Sequence, residues 1–80
     1  MFYVYLIKSS LASEIFYVGY TTNLEQRLET HNSGGSVHTA KMKPWELVMY
    51  FGFVDKLKAQ QFEAYLKSQS GRAFAKKRFL

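Results

Sequence analysis

The chain opens with a run that admits few folds. Phe2 to Lys8 reads FYVYLIK, aromatic and β-branched with almost no polar break. Such a run reads as a strand covered on both faces, hence central in its sheet. Alternation places Tyr3, Tyr5 and Ile7 on one face and Phe2, Val4 and Leu6 on the other. Apolar material must therefore lie on both sides of the sheet. The composition can supply it: nearly half of the eighty residues are apolar, with seven Phe and six Tyr. One domain spanning 1–80 is expected, with roughly 60% of the unfolded surface buried at about this size. A folded core is expected and disorder is not.

Other classes fall away as quickly. There is no cysteine, which excludes a disulfide scaffold and a thiolate zinc site and fits a reducing compartment. FYVYLI is too short to span a bilayer and no basic flank of a signal peptide precedes it, so a cytoplasmic protein without a membrane partner is expected. The formal charge of +5 and a pI near 9.6 favour a polyanionic partner. Arg72, Lys76, Lys77 and Arg78 concentrate part of that charge at the C-terminal end.

After Lys8, Ser9 to Glu14 is a polar connection of hairpin length, and Ile15 to Tyr20 is a return strand that should pair antiparallel with the first. A helix is predicted from about Asn23 to His31. Thr22 fits its N-cap, Glu25 the returning arm of a capping box, and Asn32-Ser33-Gly34-Gly35 its stop. Leu24 and Leu28 define its apolar stripe; His31 falls about 20° and Arg27 about 60° from Leu24, while Glu25, Gln26 and Glu29 point away. The two cations thus border the face that must pack. Ser33 to Pro44 reads as an exposed loop, basic at its far end. Trp45 to Phe53 is a third strand with Leu47, Met49, Phe51 and Phe53 on one face. Asp55 caps a second helix running to about Ser70 and stopped at Gly71, and the remainder is a short helix or a tail that docks Phe74 and Phe79.

The carboxylates sort by elimination. Glu14 is in a hairpin loop, Glu25 has a capping role, Glu29 faces solvent, Glu46 begins a strand and Asp55 caps a helix. Glu63 alone sits mid-helix beside the stripe of Ala59, Phe62 and Leu66 without an evident structural duty. Taken alone, each candidate also has a plain explanation: Glu63 as an i,i+4 partner of Lys67, Tyr5 and Tyr17 as core aromatics, Arg27 as a surface ion pair, His31 as a core-edge histidine. His38 lies in a loop with no second ligand at a recognisable spacing.

The order of these features carries more than any one of them. A strand with Tyr3-Val4-Tyr5, a loop, a strand with Tyr17-Val18-Gly19, a helix with Arg27 and His31, a strand, and a helix with Glu63 resembles the GIY-YIG nucleases, the short stand-alone bacterial ones above all. The resemblance runs through nearly the whole chain. It departs from the family pattern at Tyr3, where the family name has glycine. Tyr20 stands where the excision-repair branch has lysine, and Gln69, Ser70 and Gly71 supply no asparagine after the second helix.

The fold expected is α/β, a small three-stranded, mainly antiparallel sheet flanked by helices in the order β-β-α-β-α plus a C-terminal helix or tail. The resemblance implies a divalent-metal-dependent endonuclease that hydrolyses DNA phosphodiester bonds by a one-metal mechanism. Glu63 matches the family's metal-binding carboxylate, for Mg²⁺ or Mn²⁺, which keeps several waters around one or two protein carboxylates. Tyr5 resembles the tyrosine beside the attacking water, Tyr17 the one flanking the scissile phosphate, Arg27 a clamp on its oxygens, and His31 the histidine that bonds the tyrosine or shuttles its proton. Lys41, Lys43, Lys67 and Arg72 are the candidate backbone contacts. The alternatives are a nucleic-acid-binding module of the same fold with little catalysis, and an interaction domain that binds no nucleic acid. DNA against RNA, monomer against weak homodimer, and a protein partner for targeting stay open at this point.

Overall fold

The computed structural model describes residues 1–80. In chain order it has β1 (Phe2–Ser9), β2 (Phe16–Thr21), α1 (Leu24–Ser33), a single 3-10 turn (Ala40–Met42), β3 (Trp45–Phe53), α2 (Lys56–Lys67) and α3 (Gln69–Arg78). The sheet order is β2-β1-β3 and both pairings are antiparallel. β1 is therefore the central strand its composition requires. Val4, Leu6, Phe16 and Val18 pack against Ala59 and Leu66 of α2 and Ala75 of α3 on one face. Tyr5, Ile7 and Trp45 gather Tyr17, Leu24, Leu28, Met42 and Leu47 on the other. The α2–α3 pair and α1 thus cover opposite sides. Each fully buried aliphatic side chain in these layers stabilises the fold by about 1.5–3 kcal/mol.

Register decides what meets what. Tyr5 pairs with Gly19 and Ile7 with Tyr17, so Tyr5 and Tyr17 share the α1 face. On the other side of β1, Leu6 pairs with Met49 but Ile7 with Leu47. This bulge corrects the expected single-faced run on β3: Leu47 joins Trp45 under α1, while Met49 and Phe53 pack with the α2 face. One extra residue reverses the alternation.

The start of α1 is also shifted from expectation. Its N-cap is Asn23, not Thr22, with the side chain accepting from the Gln26 N–H at 3.1 Å. β2 runs on to the buried Thr21, whose hydroxyl accepts from the Asn23 N–H, and this pushes the helix start one residue along. Glu25 then falls one place short of the capping-box position and serves as a first-turn acid near the positive helix end. The C-terminal stop is as expected, at Gly34 with φ 82°, where the Gly35 N–H reaches the Thr30 carbonyl at 3.0 Å.

Gly71 does not stop α2. The break comes at Ser68, in extended conformation, whose side chain caps α3 by accepting from the Gly71 N–H. Gly71 lies in the first turn of α3, where a Cβ would overlap the Tyr65 carbonyl and come within 2.8 Å of the Leu66 Cα. Its lack of a side chain lets two helices meet, which a sequence reader sees only as a terminator. The segment from Ser33 to Pro44 is likewise more than an exposed loop. It contains the 3-10 turn and the buried Thr39, and Ser9 Oγ donates to the Met42 carbonyl. The Asn32 amide pairs with both backbone groups of Trp45.

Candidate active site

The centre of the site is a tyrosine that crosses the sheet. Tyr5 is only 1% exposed, yet its ring passes over β2 at the position opposite Gly19, where any Cβ would collide with its hydroxyl end. There Tyr5 Oη meets His31 Nε2 at 2.7 Å. His31 comes from the last turn of α1 and is equally buried. Its other nitrogen, Nδ1, lies 2.7 Å from Thr39 Oγ1. Thr39 is held in turn by the Trp45 indole N–H, which donates to its carbonyl at 2.9 Å. The Tyr17 ring packs edge-on to the imidazole, 5.3 Å between centroids.

The charge states follow from this burial. Tyr5 is pushed up to about 12, chiefly by desolvation, although the neighbouring Arg27 guanidinium pulls the other way. His31 is held below the usual imidazole value by desolvation and then by Arg27. At neutral pH both groups are uncharged. A neutral imidazole has one donor and one acceptor nitrogen. With the phenol proton on Tyr5, the network closes when Tyr5 O–H donates to Nε2 and Nδ1–H donates to Thr39 Oγ1.

Arg27, one turn before His31, is exposed. Together with Tyr17, Thr22, Asn23, Gln26 and His31 it lines a polar cleft of 450 Å³. Glu63 arrives from α2, on the opposite layer, with its charge felt at Tyr5 and its carboxylate 3.0 Å from Lys67 Nζ. Lys67 Nζ also sits 5.9 Å from the centre of the Tyr17 ring. The structure thus brings Tyr5, Tyr17, Arg27, His31 and Glu63 into one neighbourhood, drawn from β1, β2, α1 and α2.

A similarity search matches residues 1–78 to the GIY-YIG catalytic domain. The chain belongs to the GIY-YIG family. A UPF0213 protein of Clostridium perfringens is 41% identical over 84% of this chain and 71% of its own length. Another from Natronomonas pharaonis is 44% identical over 85% of this chain and 79% of its own. The structure-specific endonuclease subunit slx1 of Aspergillus clavatus is 43% identical over 74% of this chain, but the match spans only 15% of that longer protein. Among solved structures, the solution structure of a UPF0213 protein from Bacillus halodurans matches at 30% identity with a TM-score of 0.57, covering 96% of this chain and 84% of that one.

This GIY-YIG domain spreads the four predicted backbone-contact residues unevenly. Lys67 lies at the site, paired with Glu63. Arg72 stacks on Phe16 of β2 with its guanidinium 4.5 Å from the ring centre. Lys41 and Lys43 are exposed around the 3-10 turn, outside the cleft. Sequence reasoning missed Thr39, which reads as one more polar residue of a loop. Its signal is only relational, a hydroxyl brought under His31 by a turn that no periodicity marks.

The depressed His31 value gives a pH dependence with a definite sign. Below about 6.5 the unfolded chain binds a proton at this imidazole more readily than the folded one does. Stability should therefore be complete above pH 6.5 and decline as pH falls from there through the folded value. Thermal melts across that range should show the decline in the wild type and a smaller one in His31→Gln. Equal slopes in both proteins would mean that His31 is not the group responsible.

Proposed function

We propose that residues 1–80 act as one nuclease domain, a divalent-metal-dependent endonuclease that hydrolyses DNA phosphodiester bonds. The observation that carries this reading is the 2.7 Å contact between Tyr5 Oη and His31 Nε2 beside a cleft that holds Arg27. A phenol near 12 is no base by itself at neutral pH. Its proton needs a receiver, and a neutral imidazole with a free lone pair is one. Tyr5 positions the attacking water and takes its proton as its own passes to His31 Nε2. Thr39 holds the ring in the tautomer that can accept it. Arg27 and Tyr17 hold the phosphate, and the guanidinium offsets charge that develops on its oxygens.

The acidic side chains fit a metal shared with the substrate. No three His, Cys, Asp or Glu side chains form a cage, and Mg²⁺ is commonly held by one or two carboxylates together with substrate phosphate and water. Glu63 would hold the ion, which would supply neutralisation of the phosphate charge when bound. The name of the slx1 relative, a structure-specific endonuclease subunit, supports the nuclease reading and allows a partner protein for targeting. The Glu63–Lys67 pair favours a second reading, a DNA-binding module in which the carboxylate only balances a lysine.

Cleavage of supercoiled plasmid and of labelled branched and single-stranded DNA separates the two. The wild type should cut with Mg²⁺ or Mn²⁺ and stop when the metal is chelated. Arg27→Ala, purified in parallel, should lose ~10²–10³ in rate, the usual consequence of removing one donor that stabilises a transition-state charge. Arg27 is exposed, so its melting temperature should not move. Equal traces from both proteins would mean contamination and leave the binding module as the reading.

A further inference from the structure

A second concavity adjoins the cleft. It measures 300 Å³ and is lined by Tyr3, Thr22, Asn23, Leu24, Glu25 and Tyr50. Thr22 and Asn23 line both spaces, so the two share a rim at the start of α1. Tyr3 and Tyr50 lie on the Tyr5 face of the sheet, since Tyr50 pairs directly with Tyr5 and Tyr3 lies two residues from it. Their rings form an edge-to-face pair with centroids 5.9 Å apart and planes at 71°. β3 is an outer strand of the sheet, and Tyr50 is 54% exposed. An exposed tyrosine braced by a second one offers a flat, oriented face.

The chemistry of the two spaces differs. The cleft contains Arg27 and suits an anion. The second space has no basic side chain, and its one charged residue is Glu25, which would repel a phosphate. Two aromatic rings, an amide, a hydroxyl and a carboxylate suit a nucleobase instead. The rings supply stacking, and the carboxylate can accept from an exocyclic amino group. A base paired inside a duplex presents no free face to such a platform.

We propose that Tyr3 and Tyr50 form a stacking subsite for one unpaired nucleobase beside the scissile phosphate, so that the substrate is DNA with an unpaired nucleotide next to the cut. The position of the phosphate rests on the nuclease reading; the stacking itself does not. The test is therefore a binding measurement made with metal chelated, using a fluorescent single-stranded oligonucleotide and a blunt duplex of the same sequence. Tyr50→Ala should weaken single-strand binding ~5- to 150-fold, the range that loss of one aromatic stacking partner spans, and leave duplex binding as it is. Tyr50→Trp, which keeps a flat ring, should restore single-strand binding. Unchanged single-strand affinity in Tyr50→Ala, or an equal loss on the duplex, overturns the subsite. Failure of the nuclease reading would look different: no metal-dependent cleavage by the wild type, with the Tyr50 binding pattern intact.

Discussion

Glu63→Ala should abolish metal-dependent cleavage and leave the fold as stable as before. The two halves of that expectation come from different observations. Glu63 is the one carboxylate whose charge is felt at the Tyr5 hydroxyl. Of the others, Asp55 is engaged at the start of α2, accepting from the Leu57 N–H at 2.8 Å, and Glu14, Glu25, Glu29 and Glu46 are exposed. A metal deprived of Glu63 would keep only water and substrate as ligands. The fold loses little, because the pair with Lys67 has side chains 23% and 49% exposed, and an i,i+4 pair of this kind contributes about 0.3–0.5 kcal/mol. Lys67→Ala is the informative companion. It breaks the same ion pair but leaves the carboxylate in place, so it should retain metal-dependent cutting. If Glu63→Ala cuts like the wild type, Glu63 is not the metal ligand.

How far the sequence reaches into this site depends on the length scale of each interaction. The unbroken apolar run of β1 announces a central strand, because an edge or surface strand would need polar alternation. Trp45 to Phe53 is marked by composition as β3, and Asp55 is marked as a cap by its own chemistry. Helical periodicity alone turns His31 toward the packed face and leaves Arg27 at its exposed border. What escapes is anything set by register or by approach across the fold. Whether Tyr5 and Tyr17 share a side depends on a pairing that no local signal fixes. The bulge on β3 leaves no mark in LVMYFGF. Thr39 matters only because a turn carries it under a histidine eight residues away, and Gly71 reads as a terminator although it is a point of helix contact. The Thr22 to Asn23 shift is of the same kind: two adjacent capping residues compete, and the length of β2 decides between them.

Gly19→Ala should be the most damaging single methyl group in the site. The strand is extended there, so nothing in the backbone demands glycine; the constraint is space. An added Cβ would overlap the Tyr5 hydroxyl and its ring carbon, and lie 2.8 Å from Cε1. Tyr5 is buried with 1% exposure and cannot yield outward, so the ring must swing away and break the 2.7 Å bond to His31. Overpacking of this sort costs about 1–3 kcal/mol of stability, readable as a lower denaturation midpoint. The rate should fall at least as far as in Tyr5→Phe, for which losing the general-base hydroxyl predicts ~10²–10⁴. The two substitutions should not add. If Gly19 acts only by giving Tyr5 its place, then Gly19→Ala introduced into Tyr5→Phe should remove almost no further activity, since the hydroxyl it displaces is already gone. A wild-type rate in Gly19→Ala would show that Tyr5 need not lie across β2 for the reaction. A full independent loss in the double variant would mean that Gly19 serves the substrate directly, and the tyrosine would then need another account.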